Sequence, residues 1–206
     1  MSSISSDYGL LLIDIQQGFN HPSHWGRKRS TPNFEENVAE LLATFREVAP
    51  ENIFHVCHYS TLPHSPLHPS NGAIDFQPYA APLPSEPTFP KHKNSGFVGT
   101  NLEAAIRERK ITTLVVCGLM TEHCVSSTLR QASDLGVVDG VHGEDSKGRI
   151  LLVQDATGSY DTTFGGRYYD AETVHSVHLS GLDTEFCQVV NLKVVLRELR
   201  GQKENR

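Results

Sequence analysis

Val115-Val116-Cys117-Gly118-Leu119-Met120-Thr121-Glu122-His123-Cys124-Val125 changes character at Gly118. Before the glycine the chain is apolar throughout, as in a strand buried on both faces. Beyond it Val125, Leu129, Ala132 and Leu135 recur at helical spacing until Gly136, a helix-ending residue. Strand, glycine turn and helix follow one another without a linker, and Cys124 falls in the first helical turn. A thiol there meets free N–H groups and the positive end of the helix dipole, both of which favour a thiolate. Cys124 is therefore the candidate nucleophile, and its polar neighbours Glu122, His123, Ser126 and Ser127 set it apart from Cys57, Cys117 and Cys187. Those three lie in or at the end of apolar runs and read as reduced core residues.

Outward from this segment the same alternation repeats. Residues 10–15, Leu-Leu-Leu-Ile-Asp-Ile, form an apolar run broken by one carboxylate, so Asp14 is an acid at the end of a buried strand. Phe34, Val38, Leu41, Leu42, Phe45 and Val48 predict a helix with Asn33 as its cap and Pro50 beyond its end. Further strands are predicted over 53–59, 111–119, 150–156 and 186–190, and further helices over 102–110, from Asp170 or Ala171 to about 183, and over 192–199. The result is one α/β domain over 1–206: a three-layer α/β/α fold with a Rossmann-like, mostly parallel sheet of about six strands covered by helices on both faces. Ligands of such sheets sit at the carboxyl ends of the strands. Asp14, His58 and the Gly118 turn all map to that edge.

Composition narrows the function. Lys and Arg number 18 against 24 Asp and Glu, a net charge of −6, which leaves no basic footprint for nucleic acid or an anionic membrane. No apolar stretch approaches the ~20 residues of a membrane helix, and residues 1–7 lack the basic start and apolar core of a secretory leader, so a cytoplasmic protein is expected. No Gly-x-Gly-x-x-Gly follows the first strand and there is no phosphate-binding Gly-Lys-[Ser/Thr] loop. Residues 60–90 hold eight prolines and almost no periodicity, the mark of a functional loop or lid. His55, His58, His64 and His68 lie in or near it, but no Asp or Glu stands between Ile53 and Asn71 to complete a metal site, so no metal and no cofactor is expected. Either Lys91 or Lys93 could stand beside the thiol and the carboxylate, lowering the thiol's pKa and balancing the acid. The residues alone do not choose between them. Gln17, Phe19, Trp25, His58, Phe97, His123, Thr163 and Phe164 are the expected walls of a substrate pocket. The stretch 137–149 reads as an exposed loop.

Four segments resemble the isochorismatase-like cysteine hydrolases, a family that includes nicotinamidases, N-carbamoylsarcosine amidases and isochorismatases. They are Leu11-Leu-Ile-Asp-Ile-Gln-Gln-Gly-Phe19, Lys91-His-Lys-Asn-Ser-Gly-Phe97 with Gly99-Thr-Asn-Leu102, Val116-Cys-Gly-Leu-Met-Thr-Glu-His-Cys-Val125, and Gln154-Asp-Ala-Thr157. The resemblance implies a catalytic triad of Asp14, Lys91 and Cys124, choosing Lys91 because it stands four residues before Ser95. It also implies an oxyanion hole from the backbone amides of Met120 and Cys124, a cis peptide between Leu119 and Met120, and a homo-oligomer, dimer or tetramer. Two features depart from named members. His58-Tyr59-Ser60 stands where nicotinamidases carry Asp-x-His, and residues 137–149 form an insertion of roughly ten residues beyond a short helix-to-strand loop.

The chemistry implied is hydrolysis of a C–N bond in a small amide or carbamoyl compound through a thioester. The rival within the family is cleavage of the vinyl ether of isochorismate, which does not require a thiol. A rival of another class is a non-catalytic binding protein on the same fold. The presence of Cys124 favours the first over the ether, and the intact set of Asp14, Lys91 and Cys124 argues against the binding protein.

Overall fold

The structure, a computed structural model, describes residues 7–204. The amino-terminal residues used to exclude a leader lie, apart from Asp7, outside the described residues. Strands β1 (Tyr8–Ile13), β2 (Ile53–His58), β3 (Thr88–Lys91), β4 (Thr113–Leu119) and β5 (Arg149–Gly158) are followed by a hairpin, β6 (Thr162–Phe164) and β7 (Arg167–Tyr169), and by β8 (Gln188–Val190). Between and after them run α1 (Phe34–Val48), α2 (Leu102–Glu108), α3 (Ser126–Leu135), α4 (Ala171–Ser180) and α5 (Leu192–Glu204). Six strands form one sheet in the order β3-β2-β1-β4-β5-β8, every neighbouring pair parallel. No described helix is long and apolar enough to cross a membrane.

The apolar runs explain the layering. In β1, Leu10 and Leu12 face the cluster built on Phe34, Leu41 and Phe45 of α1 and Val195 and Leu199 of α5. Leu11 and Ile13 face the other side, with Leu102 and Ile106 of α2, Leu129 of α3 and Leu179 of α4. A strand that must bury both faces has no room for polar alternation, and each such side chain contributes about 1.5–3 kcal/mol of transfer free energy.

Five strands of this sheet match the expected ones, and β3 is an addition with little strand-like signal, because Thr-Phe-Pro-Lys is short, carries a proline and lies at an edge. From β1 the chain builds β2 and β3 on one side, then returns to build β4, β5 and β8 on the other. The crevice at the carboxyl ends of β1 and β4 is thus the point where strand order reverses. Gly118 makes that junction possible. Its φ is +132°, and a Cβ there would collide with the backbone carbonyl oxygen of Ile13.

The 60–90 segment contains two short helical turns, Pro69–Asn71 and Pro78–Ala80, before β3. It is bound down by the inward-facing Gln16, whose amide donates to Ile74 O at 2.7 Å. The 137–149 stretch is anchored by buried Val137 and Val138, and its tip folds over Asp139, which accepts from Lys147 Nζ at 2.8 Å and Gly148 N at 2.9 Å.

Candidate active site

Asp14 follows β1 directly and has a φ of +53°, a left-handed conformation that Asp tolerates better than most residues and that costs of order 1–3 kcal/mol. Its own N–H donates to Val56 O at 2.9 Å and its carbonyl accepts from Gln16 N at 2.9 Å, so the turn is held from both sides. Lys91 is the last residue of β3, where alternation turns Phe89 and Lys91 inward and leaves Lys93 exposed beyond the strand. His58 ends β2, its backbone N–H donating to Gln16 Oε1 at 2.7 Å. Cys124 does not sit in α3 itself but in a wide π-helical turn, Thr121–Val125, that precedes it. Both His123 N and Val125 N donate to Met120 O, at 3.0 and 3.2 Å. The Leu119–Met120 peptide bond is cis.

Lys91 Nζ stands at the centre of these groups. It donates to Asp14 Oδ2 at 2.6 Å, to His58 Nδ1 at 3.0 Å and to Cys124 Sγ at 3.2 Å, one acceptor for each ammonium proton. Asp14 and Lys91 are 0% and 1% exposed, so the pair is shielded from water and its Coulomb attraction is little screened. Burial works against the ammonium, yet Asp14 and Cys124 outweigh it and hold Lys91 above its ordinary value. His58 is pushed down by burial and then by Lys91, leaving a neutral ring whose Nδ1 lone pair accepts from the lysine.

The thiol behaves differently from the expectation raised by its place at a helix start. Burial, and then the Asp14 carboxylate, push Cys124 above its ordinary value; Lys91 pulls the other way and does not prevail. Desolvation decides this because Cys124 is only 8% exposed. The resting group is a neutral thiol beside a carboxylate that can take its proton.

A cleft of about 80 Å³ opens over these atoms, lined by Asp14, Phe19, Trp25, His58, Leu67, Asn94, Met120, His123 and Cys124. Phe19 and Trp25 stack at 4.6 Å and form its aromatic wall. Hydrogen bonds fix that wall: Trp25 Nε1 donates to Gly18 O at 2.9 Å and the Tyr160 hydroxyl to Phe19 O at 2.9 Å. Four of the expected wall residues, Phe19, Trp25, His58 and His123, therefore line the cleft, and four do not. Gln17 points outward and donates to Phe76 O at 3.2 Å, the inward glutamine being Gln16. Phe97 is buried in the core with Leu102, behind Cys124. Thr163 and Phe164 belong to the exposed β6 strand, where Phe164 is 80% exposed. Leu67, Asn94 and Met120 were not singled out as lining residues from sequence. Leu67 and Asn94 come from irregular stretches without a periodic signal.

Comparison with known proteins places the fold in a family. An isochorismatase domain model matches residues 8–190. The chain belongs to the isochorismatase family. It is 33% identical to the uncharacterised isochorismatase family protein YrdC of Bacillus subtilis, over 92% of this chain and 94% of that one. A solved structure of an isochorismatase-family protein from Chromobacterium violaceum, at 34% identity, superposes with a TM-score of 0.84 and covers 98% of this chain and 96% of that one. Ureidoacrylate amidohydrolase RutB of Cronobacter sakazakii is 32% identical over 76% of this chain and 63% of its own length.

In this isochorismatase-family hydrolase, the carboxylate of Asp14, a ring nitrogen of His58 and Sγ of Cys124 all lie within 4.8 Å of one another, a donor set that could suit a metal ion. Lys91 donates to all three of these residues, so the space between them already holds a tethered cation.

Proposed function

We propose that the protein hydrolyses a C–N bond of a small amide or carbamoyl compound, with Cys124 as nucleophile. The observation that carries this reading is the position of Lys91 Nζ, within hydrogen-bond distance of both Asp14 Oδ2 and Cys124 Sγ in a site almost closed to water. Such a constellation has a nucleophile, a carboxylate placed to act as its base and a cation that compensates the buried carboxylate.

In the proposed cycle Asp14 takes the Cys124 proton as the sulfur attacks the carbonyl carbon. Because the thiol is neutral at rest, proton transfer accompanies attack rather than preceding it. The tetrahedral oxyanion is received by the backbone N–H groups of Met120 and Cys124. Asp14 then returns the proton to the departing nitrogen, leaving a thioester at Cys124. Water, deprotonated by the same carboxylate, attacks the thioester; the acid departs and the sulfur recovers its proton.

The cleft supports this over cleavage of isochorismate. That substrate is a dicarboxylate, whereas among the described residues no lysine or arginine lines the cleft and the Lys91 ammonium is engaged by three acceptors. The amide chemistry in the name of the ureidoacrylate amidohydrolase relative points the same way. The test is a panel of small amides, carbamoyl compounds and isochorismate, assayed with wild type and Cys124→Ala. Amide turnover abolished in the variant supports the reading; amide turnover retained by the variant, or isochorismate cleavage alone that survives the substitution, refutes it.

A further inference from the structure

The turn that carries Cys124 is held by a hydrogen-bond chain from outside the site. Thr121, its first residue, is 0% exposed, and its hydroxyl lies 2.8 Å from Nδ1 of His175 on α4. The other ring nitrogen, Nε2, lies 3.1 Å from the carbonyl oxygen of Gln154 on β5. A carbonyl only accepts, so Nε2 carries the proton; in the neutral ring Nδ1 is then an acceptor and the Thr121 hydroxyl donates to it. Neutrality fits the surroundings, since burial pushes His175 below its ordinary value despite Glu172 and Glu122 nearby. His175 is 5% exposed, and it does not line the cleft.

Geometry gives this chain its importance. The turn from Thr121 to Val125 is wound wider than an α-helix, with Val125 N donating back to Met120 O at 3.2 Å. Wide turns of this kind lack the intrinsic preference that an α-helical turn has, so their shape rests on outside contacts. At its far end the Cys124 carbonyl accepts from Thr128 Oγ1 at 2.6 Å, and Thr128 Oγ1 accepts in turn from Gly96 N at 2.9 Å. The near end is tied through Thr121 to His175 and, through the ring, to β5. Gln154 lies in the stretch where β5 shifts register against β4, and its carbonyl serves the histidine.

We propose that His175 is a positioning residue which, through Thr121, sets the place of Cys124 Sγ relative to Asp14 and Lys91. This rests on the reading of Cys124 as nucleophile. Its test uses isosteres that divide the two ring nitrogens. The Asn amide oxygen falls where Nδ1 was, so His175→Asn keeps an acceptor for Thr121 and drops the tie to Gln154. The Gln amide nitrogen falls where Nε2 was, so His175→Gln keeps the strand tie and drops the Thr121 bond.

The readout is the rate of Cys124 alkylation by iodoacetamide in the intact protein, followed by peptide mass spectrometry, with thermal melts as a control for folding. Thr121→Val and His175→Gln are expected to slow Cys124 alkylation by roughly ten- to a hundredfold, the usual cost of misplacing a reacting group by about an ångström. Thr121→Ser and His175→Asn are expected to stay within a few-fold of wild type, and the double variant Thr121→Val/His175→Gln to be no slower than either single. Equal alkylation rates in wild type, Thr121→Val and His175→Gln overturn the proposal, as does equal slowing by the Asn and Gln variants with a matching fall in melting temperature. A different result marks failure of the nucleophile reading itself: Cys124 in wild type reacting no faster than Cys57, Cys117 and Cys187.

Discussion

The Lys91 ammonium lies 2.6 Å from Asp14 Oδ2, and neither side chain has any exposed surface. Two opposite charges so placed depend on each other, because each compensates the desolvation of its partner. Lys91→Met leaves the carboxylate buried and unpaired and is expected to cost about 3–5 kcal/mol in denaturant unfolding. Asp14→Asn/Lys91→Met is expected to recover part of that loss while remaining inactive. A Lys91→Met variant as stable as wild type would mean that the pair is not the closed ion pair described.

The thiol's titration gives a prediction with a definite sign. Asp14 raises Cys124 and Lys91 lowers it. Asp14→Asn removes the first influence and keeps the second, so its thiol titrates at lower pH than in wild type, while turnover falls by roughly 10²–10⁴ for want of a base. Thiolate absorbance against pH in both proteins, compared with the corresponding Cys124→Ala proteins to isolate this thiol, checks it. An unchanged or higher titration in Asp14→Asn contradicts it.

A second buried network governs acid stability. Glu86 binds Arg46 Nε at 2.7 Å and His55 Nε2 at 2.9 Å, and accepts from Leu83 N at 2.9 Å. Burial alone would raise its pKa; these partners bring it down instead, from 4.5 to about 2. A depressed folded-state value adds stability that is complete above the unfolded value and is lost as pH falls, so the window runs from about 4.5 down through about 2. His55, also depressed, mainly by burial, acts in the same direction below its ordinary 6.5. Glu86→Gln is expected to lose about 3 kcal/mol at neutral pH and to flatten the acid limb of the stability curve. Urea midpoints from pH 7 to pH 2.5 measure this, and parallel acid limbs in the two proteins would exclude it.

Gly118 is where β1 and β4 approach with no space for a side chain. Gly118→Ala combines the strain of a φ of +132° with a Cβ pressed onto the Ile13 backbone, whose nitrogen would be 2.8 Å away. A loss of at least about 3 kcal/mol in unfolding free energy is expected, with Asp14 and Cys124 displaced from each other. Wild-type stability and activity in this variant would show that the strands can separate at that point without consequence.

The parallel sheet and much of the candidate site could be read from the sequence for the same reason. Strands buried on both faces leave long apolar runs, and a carboxylate or a glycine at the end of such a run stands out, which located Asp14 and the turn before Cys124. The residues alone do not separate Lys91 from Lys93, because β3, which decides between them, is short and carries a proline. The signal was present but short: exposure alternates along Thr88–Lys91, which turns Phe89 and Lys91 inward. Thr163 and Phe164 lie outside the cleft because their aromatic, glycine-rich stretch forms a hairpin and not a pocket wall. Gly165 and Gly166, both with positive φ, form a two-residue turn between paired strands and send Phe164 into solvent. The thiol's raised titration was not readable at all, since it depends on how much water the fold removes. His175 and Thr121 lie 54 positions apart, and only the packing of α4 on the Cys124 turn brings them together.

In the proposed reaction a carbonyl carbon becomes bonded to Cys124 Sγ. Intact-mass measurement after rapid acid quench during turnover of a hydrolysed amide tests it most directly. An added mass equal to the acyl group is expected, confined to the Cys124 peptide, decaying as product appears and absent from Cys124→Ala. Full turnover by Cys124→Ala, or an adduct on another residue, would contradict it.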